Sequence, residues 1–313
     1  MDISIICVNW NSLMYLRACI VSIYENTSNI AFEIIVVDNA SPEGGIETIN
    51  LLFPEVIVIK TSENVGFARA NNLGFARSRG KYILLLNPDT KVIGPAINIL
   101  LRAIENKADA GIVGGKLLNT DLSIHTNTIQ KFPTILNQIL DVEVLRLRWP
   151  SFPLWDISPL FAESEAPIAV EVIPGACMLL RRETFERVGM FSEDYFMYAE
   201  DVDLNYKVRC LGLSSYYVGA AEIVHHGGGS SSRHSRSQWA TVMKYKAMLC
   251  FYKKYRGGFY GLLYRGAMAS CAVGRLIFLG LSFPFGDKKD IGYTATKWST
   301  VLKWALGIAS GTV

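Results

Sequence analysis

Two acidic segments, far apart in the chain, carry residue types that could do chemistry. The first contains Asp89, which follows the apolar run YILLL (82–86) and the pair Asn87-Pro88. Proline stops the strand and holds the carboxylate at its end, where carboxylate oxygens suit Mg²⁺ or Mn²⁺. The NPDT segment equally fits an ordinary type I turn. The pattern alone therefore leaves a metal site and a plain turn open.

The second segment, YAEDVDL, places Glu200, Asp201 and Asp203 close together. Acids in the first turn of a helix stabilise its dipole whatever their function. The neighbours of these acids suggest more, because the aromatic FMY precedes them and two of the four histidines follow in HHGG. A carboxylate within about 3 Å of a hydroxyl can take its proton during nucleophilic attack. The segment is a candidate for a general base.

The elements that must position these residues follow from short, continuous apolar runs separated by helical patterns. Such runs are typical of strands covered on both faces of a largely parallel sheet. Leu13, Leu16, Ile20 and Ile23 form one helical face between the first two runs. An α/β fold with repeated β-α units is therefore predicted for the first 110 residues. The predicted strands are 3–8, 33–37, 56–59 and 82–86, and further helices are 66–79 and 95–106.

Polar residues cluster where the predicted strands end. Asn9 follows the first strand, Asp38 and Asn39 follow the second, and Asn87 and Asp89 follow the fourth. Ligands of open α/β sheets bind beyond the carboxyl ends of the strands. These side chains are therefore expected to share one ligand-binding edge.

The middle of the chain gives a weaker signal, because five prolines interrupt residues 133–167. A strand near 111–118 is predicted, followed by loops of a size to admit an acceptor. An apolar strand over 170–180 and strands near 214–225 flank a helix at EDVDLNYKVRCLG, whose buried stripe is Leu204, Val208 and Leu211.

Composition excludes several classes of protein. The six cysteines are dispersed, which favours a reducing compartment over a disulfide framework or a CxxC zinc site. The N-terminal apolar stretch is too short for a signal peptide, so export is not expected. No G-x-G-x-x-G follows the first strand, which argues against a dinucleotide oxidoreductase. GIVGGKL (111–117) has the wrong spacing for a phosphate loop, and no nucleic-acid partner is expected.

The C-terminal region differs from the rest in charge. From Arg233 onward there are 13 basic and 2 acidic residues, against 18 basic and 26 acidic residues before it. The longest uncharged stretch there, 276–286, is shorter than the roughly 20 residues of a membrane-spanning helix. Basic side chains interleaved with aromatic ones favour a helix on an anionic membrane surface, the alternative being a helical subdomain packed on the sheet. The predicted division is a catalytic domain over 1–232 and a basic helical region over 233–313.

The motifs together resemble family 2 glycosyltransferases, in particular the bacterial rhamnosyltransferase-like group of polysaccharide assembly. The segments that carry the resemblance, in order over about residues 2–232, are SIICVNWNSLMYLRACIVSI, EIIVVDNASPEGG, SENVGFARANNLGFARSRGKYILLLNPDT, VIPGACMLLRRETFERVGMFSEDYFMYAEDVDL and IVHHGGGSS. The resemblance implies a GT-A fold and inverting transfer from a nucleoside-diphosphate sugar.

The resemblance also implies roles for particular residues. Asp89 occupies the metal-binding Asp-X-Asp position, although Asn87 stands where that motif begins with Asp. His225, in preference to His226, would complete the metal shell, and Asp201 would be the base. Residues implied to bind nucleotide or donor are Asn9, Asp38, Asn39, Asn64, Gly66, Arg69 and Asn87, and those implied to border donor sugar or acceptor are Gly175, Ala176, Glu200, Asp203 and His226.

By this resemblance the first expectation for the donor is deoxythymidine-diphosphate rhamnose, followed by uridine-diphosphate sugars. The acceptor is expected to be a saccharide or a lipid-linked saccharide, used at the cytoplasmic face of the cell membrane by a peripherally bound protein. Two other functions stay open. A sugar-phosphate nucleotidyltransferase would release pyrophosphate instead of a nucleoside diphosphate, and a noncatalytic binding component would turn over no donor.

Overall fold

The computed structural model describes residues 1–125, 129–140, 166–227, 238–282 and 288–308, which contain nine strands and nine helices. The strands are β1 (Ile3–Asn9), β2 (Phe32–Asp38), β3 (Ile57–Lys60), β4 (Tyr82–Leu86), β5 (Thr90–Val92), β6 (Ala110–Leu118), β7 (Ile168–Val170), β8 (Cys177–Arg181) and β9 (Ser214–His225). The helices are α1 (Leu13–Asn26), α2 (Glu47–Leu52), α3 (Phe67–Phe75), α4 (Ala96–Glu105), α5 (Ile135–Ile139), α6 (Arg182–Arg187), α7 (Glu200–Cys210), α8 (Gln238–Ser282) and α9 (Lys288–Leu306).

All nine strands belong to one sheet, in the order β3-β2-β1-β4-β8-β6-β9-β5, with β7 also paired to β9. The four strands β3, β2, β1 and β4 are parallel, as predicted for the first 110 residues. Beyond β4 the sheet is mixed, because β8 runs antiparallel to both of its neighbours and β5 and β7 run antiparallel to β9. The α/β prediction is confirmed, and the sheet is parallel in one half only.

The sheet is buried on both faces, which explains why its strands read as continuous apolar runs. On one face α1 and α4 pack against it, and Leu16, Ile20 and Ile23 of α1 are fully buried. On the other face, α3 and α7 contribute to a second cluster, which includes Phe75 and Leu204. These two layers of helices fix the carboxyl ends of β1, β2 and β4 along one edge.

Two predictions for the middle of the chain need correction. The strand predicted over 170–180 is interrupted, since β7 ends at Val170 and β8 begins at Cys177, with a turn around Pro174 between them. Proline has no N–H to donate to a strand ladder, so the break falls there. Leu211, predicted to be buried, ends α7 and is 37% exposed. The acceptor-sized loops predicted for this region lie largely outside the described residues.

The C-terminal helical region is confirmed, and its aromatic residues are largely internal. Tyr252 and Tyr264 of α8 pack with Trp298 and Trp304 of α9 in a cluster that also reaches Val202 of α7. Much of the aromatic interleaving seen in the sequence is therefore core packing. The boundary predicted at 232/233 lies outside the described residues.

The helix α8 bends at Gly257, whose backbone has φ 84° and ψ 168°. By length and composition alone, α8 could cross a bilayer, and it is the one helix in the described part of the chain that could. Core helices of soluble proteins pass the same test. The expectation of a helix lying on the membrane surface stays a prediction.

Candidate active site

A cavity of about 290 Å³ opens at the carboxyl edge of β1 and β4. Both acidic segments singled out in the sequence reach it, since Asp89 and Asp201 line the same cavity. The other predicted site residues on its walls are Asn87, Gly175, Ala176, Glu200 and His225. Residues lining it that sequence reasoning did not single out include Val8, Phe67, His125, Gln130, Met197 and Tyr198.

Asp89 faces His225 because β5, which follows directly, pairs with the end of β9. Thr90 is opposite His225 in that ladder, and the His226 N–H donates to the Asp89 carbonyl oxygen at 2.9 Å. This brings Asp89 Oδ1 to 3.3 Å from His225 Nε2. The Asn87 side-chain nitrogen is 3.4 Å from the same ring nitrogen. Asn87, Asp89 and His225 thus form one polar group on the cavity wall.

This polar group fits a divalent cation that takes few ligands from protein. A carboxylate oxygen and an imidazole nitrogen converge, as Mn²⁺ and Mg²⁺ sites completed by phosphate and water require. Among the described residues, no group of three or more His, Cys, Asp and Glu side chains could hold a metal by themselves. The buried Nδ1 of His225 has no hydrogen-bond partner in the described part of the chain, so no acceptor among the described residues fixes the orientation of its ring.

His125 is a site residue that sequence reasoning missed. Its ring lies 5.6 Å from that of His225, centroid to centroid, and it lines the cavity. Burial, and then the proximity of His225, lower its pKa. No neighbouring motif marks His125 in the sequence, and its being one of four histidines was the one available signal.

The acidic helix α7 begins from a strained backbone. Tyr198 and Ala199 have φ of 71° and 62°, a region that residues other than glycine seldom adopt and that clusters at functional sites. Asp201 then accepts two backbone hydrogen bonds, from the Gly175 N–H at 2.9 Å and the Val202 N–H at 2.8 Å. Burial raises the pKa of Asp201, and these two bonds oppose the rise because they favour the charged form.

Glu200 has a different environment from Asp201 although the two are adjacent. It is 8% exposed, and its Oε2 is buried without a hydrogen-bond partner among the described residues. Burial, and next the charge of Asp201, raise the pKa of Glu200 to about 8. At neutral pH Glu200 therefore holds a proton, whereas the two N–H donors to Asp201 favour its charged form.

Asn205 is a second residue that sequence reasoning missed. Its amide bonds both to the N–H of Ile173 at 3.1 Å and to the carbonyl of Ile173 at 2.9 Å, and it also donates to the Asp201 carbonyl at 2.8 Å. These bonds tie the 173–176 turn to α7. They bring Gly175 within reach of Asp201.

The polar residues predicted at the ends of β1 and β2 form a connected network. Asn9 donates to Asp38 Oδ1 at 2.7 Å, and the two residues are paired across the strands. Asn39 donates to Asn64 Oδ1 at 2.8 Å, and Asn64 in turn accepts the Gly66 N–H at 3.0 Å. The network adjoins the cavity because two residues of the cavity wall are its neighbours in sequence: Val8 precedes Asn9, and Phe67 follows Gly66.

Gly66 could not be replaced without a shift of neighbouring backbone. Its φ is +83°, and a Cβ there would lie 2.5 Å from the carbonyl oxygen of Phe196. The same oxygen accepts the N–H of Phe67 at 2.9 Å. Residues 64–67 and the approach to α7 are therefore in direct backbone contact.

Besides the residues of this network, three predicted site residues do not line the cavity. Arg69 points to the solvent side of α3, with Nε 3.8 Å from Glu193 Oε2, because its position on the helix faces outward. Asp203 is 0% exposed and bonded within the protein on the side of α7 away from the cavity. The His226 ring lies beside Tyr15, 5.3 Å between centroids, and lines an adjacent cavity of about 420 Å³.

The cleft at the strand ends brings a carboxylate–imidazole pair, Asp89 and His225, together with a pair of adjacent carboxylates, Glu200 and Asp201. The family model for glycosyl transferase family 2 matches residues 4–189, more than half of the chain. The chain belongs to this family, and it is a glycosyltransferase.

Curated relatives place the chain in the rhamnosyltransferase-like group of the family. An N-acetylglucosaminyl-diphospho-decaprenol L-rhamnosyltransferase of Mycobacterium tuberculosis is 30% identical over 225 residues, 67% of this chain and 72% of the relative. The rhamnosyltransferase WbbL of Escherichia coli K12 is 28% identical over 168 residues, 51% of this chain and 61% of the relative.

Solved structures confirm the predicted GT-A fold. A mannosyltransferase from Pyrobaculum calidifontis, in complex with GDP-Man and Mn²⁺, has a TM-score of 0.59 and 17% identity, and the match covers 100% of this chain and 88% of that one. GalNAc-T7, with UDP, GalNAc and Mn²⁺, has a TM-score of 0.61 and 15% identity over 98% of this chain and 56% of that one. Identities this low show the fold alone.

Proposed function

We propose that this chain is an inverting glycosyltransferase that moves a sugar from a nucleoside diphosphate to a hydroxyl of a lipid-linked saccharide. The observation that carries the proposal is that Asp89 and Asp201 line one cavity. Asp89 follows strand β4 of the sheet, whereas Asp201 lies in the first turn of α7. The two carboxylates can therefore act on one sugar from different directions.

Asp201 is the base of the proposed reaction. An acceptor hydroxyl is a weak nucleophile, and Asp201 takes its proton as the oxygen attacks the anomeric carbon. The Gly175 N–H holds one carboxylate oxygen in place at 2.9 Å. Glu200, which lines the same cavity, keeps its proton at neutral pH and so leaves Asp201 as the charged member of the pair.

Asp89 and His225 would hold a Mg²⁺ or Mn²⁺ ion in the same cavity. Such an ion, when bound, offsets the negative charge that gathers on the departing diphosphate. The network of Asn9, Asp38, Asn39 and Asn64 offers amide and carboxylate groups to the base and ribose of the nucleotide. Arg69 has no place in this arrangement, since its side chain faces solvent.

The donor is proposed to be deoxythymidine-diphosphate rhamnose, with uridine-diphosphate sugars as the second choice. Support comes from the activities of the relatives described above, both of which are rhamnosyltransferases. One of them acts on an N-acetylglucosaminyl-diphospho-decaprenol, which is a lipid-linked saccharide. An acceptor of this class is confined to a membrane, so the enzyme must meet the bilayer.

The outer half of α8 offers a surface for that meeting. The exposed residues between 258 and 281 include no charged side chain. The two arginines of this half turn inward, where Arg265 donates to the carbonyls of Trp304 and Ala305, both at 3.0 Å, and Arg275 donates to that of Ile139 at 2.8 Å. The large apolar side chains of this charge-free face are Phe259, Leu262, Leu263, Val273, Ile277, Phe278 and Leu281.

The charge-free face is proposed to lie in the headgroup region of the membrane, at its cytoplasmic side. It is about 36 Å long at about 1.5 Å per residue, and the opposite side of the helix packs on α9 and α5. Packing on one side favours a helix lying on the bilayer over one surrounded by lipid. Lys253 and Arg256, exposed just before Gly257, are placed to meet anionic headgroups. Residues 1–232 are proposed as the catalytic domain and 233–313 as the membrane-associated region.

A panel of sugar nucleotides tests the proposed function. Purified protein is incubated with each donor and a polyprenyl-diphosphate-linked saccharide, with and without Mn²⁺, and the released nucleotide product is measured. Release of a nucleoside diphosphate with transfer of the sugar supports the proposal. Release of pyrophosphate indicates a nucleotidyltransferase, and thermal stabilisation by a donor without turnover indicates a binding component.

A further inference from the structure

Asp203 is a fully buried carboxylate that the proposed reaction does not use. Its exposed fraction is 0%, and it is absent from the walls of the cavity. Within the catalytic part of the chain, it accepts a hydrogen bond from Ser192 at 2.6 Å and one from Tyr195 at 3.1 Å. The ammonium of Lys207 lies 3.6 Å from its Oδ2.

Two further partners of Asp203 come from the C-terminal helix α8. The Tyr255 hydroxyl donates to Asp203 Oδ1 at 2.8 Å, and Lys254 Nζ lies 3.1 Å from the same oxygen. The Lys254 ammonium also donates to Ser192 at 2.7 Å and to Asp194 at 3.2 Å. This clasp, defined as Asp203 with Tyr255 and Lys254, joins the helix that carries Asp201 to the helix proposed to meet the membrane.

The clasp is strong enough to hold a charge inside the protein. Burial alone would raise the pKa of Asp203, but hydrogen bonds from Ser192 and Tyr255 and the ammonium groups of Lys207 and Lys254 outweigh it and hold the pKa below its ordinary value. A buried carboxylate with this many donors is stabilised as the anion. Loss of one donor leaves part of that charge unpaired, which is costly in the interior.

The position of Asp203 allows its contacts to affect the orientation of Asp201. Both lie in the first turn of α7, two residues apart, so their side chains leave the helix about 200° apart at about 100° per residue. Asp201 faces the cavity and Asp203 faces α8. This turn follows two left-handed residues, Tyr198 and Ala199, whose backbone persists only where the surroundings hold it.

We propose that Tyr255 and Lys254 are positioning residues for the transfer reaction, because their grip on Asp203 fixes the first turn of α7 and thereby aims Asp201 at the acceptor hydroxyl. The proposal rests on the proposed role of Asp201 as the base. It makes the C-terminal helices part of the catalytic apparatus as well as a membrane attachment.

Tyr255→Phe is the first test, with Tyr264→Phe as the matched control. Both remove one hydroxyl from a tyrosine of α8, but the Tyr264 hydroxyl has no hydrogen-bond partner among the described residues. We expect kcat to fall about tenfold in Tyr255→Phe, equivalent to about 1.4 kcal/mol of transition-state stabilisation, with KM for the donor unchanged. Tyr264→Phe is expected to keep wild-type kcat.

Lys254→Met, compared with Lys244→Met, tests the contribution of the Lys254 ammonium to the clasp. Lys244 is an exposed lysine of the same helix. Lys254→Met is expected to lower kcat about tenfold and to shift the acidic limb of its pH profile. Lys244→Met is expected to do neither, and Lys254→Arg is expected to restore part of the rate because the charge returns.

Hydrogen exchange of the amides of residues 198–205 gives a readout that does not depend on turnover. Faster exchange in Tyr255→Phe than in Tyr264→Phe is expected, because the first turn of α7 opens more often. Wild-type kcat together with unchanged exchange in Tyr255→Phe and Lys254→Met would overturn the proposal, even if their melting temperatures fall. Wild-type protein that turns over no donor while the exchange difference persists would instead count against the proposed function.

Discussion

The Gly175 N–H donates a hydrogen bond to Asp201 Oδ2 at 2.9 Å. The donor belongs to the turn between β7 and β8, and the acceptor belongs to the first turn of α7. A Cβ on Gly175 would lie 3.5 Å from the Asp201 Cβ, which is already van der Waals contact. The turn that contains Gly175 therefore packs closely against Asp201. One side of the proposed base is thereby fixed, and the cavity side stays open to substrate.

Asp201→Asn is expected to lower turnover by about 10²–10⁴-fold, because the amide cannot accept the proton of the acceptor hydroxyl. Donor binding should persist, since the network proposed to bind the nucleotide lies at the ends of β1 and β2 and ahead of α3, and not in α7. Nucleoside-diphosphate release measures the first effect and donor-induced thermal stabilisation the second. Near-normal turnover in a folded Asp201→Asn protein would show that another group is the base.

Glu200→Gln is expected to change how stability depends on pH. The pKa of Glu200 is about 8 in the folded protein and about 4.3 in an unfolded chain. Between these values the folded state binds more protons, so the free energy of unfolding falls as pH rises. The variant lacks this loss and should gain stability relative to wild type from pH 5 to pH 8.

Urea unfolding of both proteins at pH 5, 6.5 and 8 measures the effect of Glu200→Gln. Glu63→Gln, at an exposed glutamate, serves as the matched control and should track wild type. If Glu200→Gln also parallels wild type at all three pH values, Glu200 is ionised in the folded protein.

Asp89→Asn is expected to abolish stabilisation by Mn²⁺ in the presence of dTDP or UDP. A ligand that binds only the native state raises the apparent melting temperature by mass action, and the variant lacks the carboxylate beside His225. Differential scanning fluorimetry over a series of Mn²⁺ concentrations measures this stabilisation. The control is Asp109→Asn, at a carboxylate that precedes β6 and accepts a hydrogen bond from Tyr216, and it should respond to Mn²⁺ as wild type does. An equal response from Asp89→Asn would place the ion elsewhere.

Gly66→Ala is expected to destabilise the protein by more than Gly189→Ala does. Both glycines have positive φ, which costs about 1–3 kcal/mol for other residues. Only Gly66 also meets backbone, at 2.5 Å from the Phe196 oxygen, whereas a Cβ on Gly189 has nothing within 4 Å. Chemical denaturation compares the two free energies of unfolding, and equal losses would mean that the Phe196 segment yields easily.

Leu262→Asp combined with Ile277→Asp is expected to reduce sedimentation with anionic vesicles by more than about tenfold, since burying such a side chain contributes about 1.5–3 kcal/mol. Both residues are exposed, so the fold should survive. Leu51→Asp, at an exposed leucine of α2, controls for added charge. Unchanged sedimentation of the double variant would argue against the charge-free face as the membrane contact. So would a double variant that loses self-association instead of vesicle binding.

Local patterns predicted the parts of the fold that local physics determines. The strands at 3–8 and 82–86 appear as β1 and β4 with almost the same bounds, because buried parallel strands leave continuous apolar runs. Asn9, Asp38 and Asp89 were expected to share an edge because parallel strands end at the same side of a sheet. The structure brings that edge together with Asp201.

Positions that depend on the direction of a side chain, or on segments far away in sequence, were not predictable in this way. Arg69 and Asp203 have residue types suited to a site, but their places on α3 and α7 turn them away from the cavity. His125 has no motif around it, and it enters the cavity because its ring packs beside His225. The aromatic residues of the C-terminal region were predicted to contact a membrane, but Trp298 and Trp304 are buried in the core between the C-terminal helices.

The bend at Gly257 separates the two functions proposed for α8. Tyr255, two residues earlier, is fastened to α7, whereas the charge-free face begins immediately afterwards, and a side chain at Gly257 would meet open space. A glycine with φ 84° has no Cβ to resist small rotations there. If the charge-free face lies on a bilayer as proposed, changes in tilt demanded by a thicker, thinner or more curved bilayer would be absorbed at Gly257, and the orientation proposed for Asp201 would be unaffected by them.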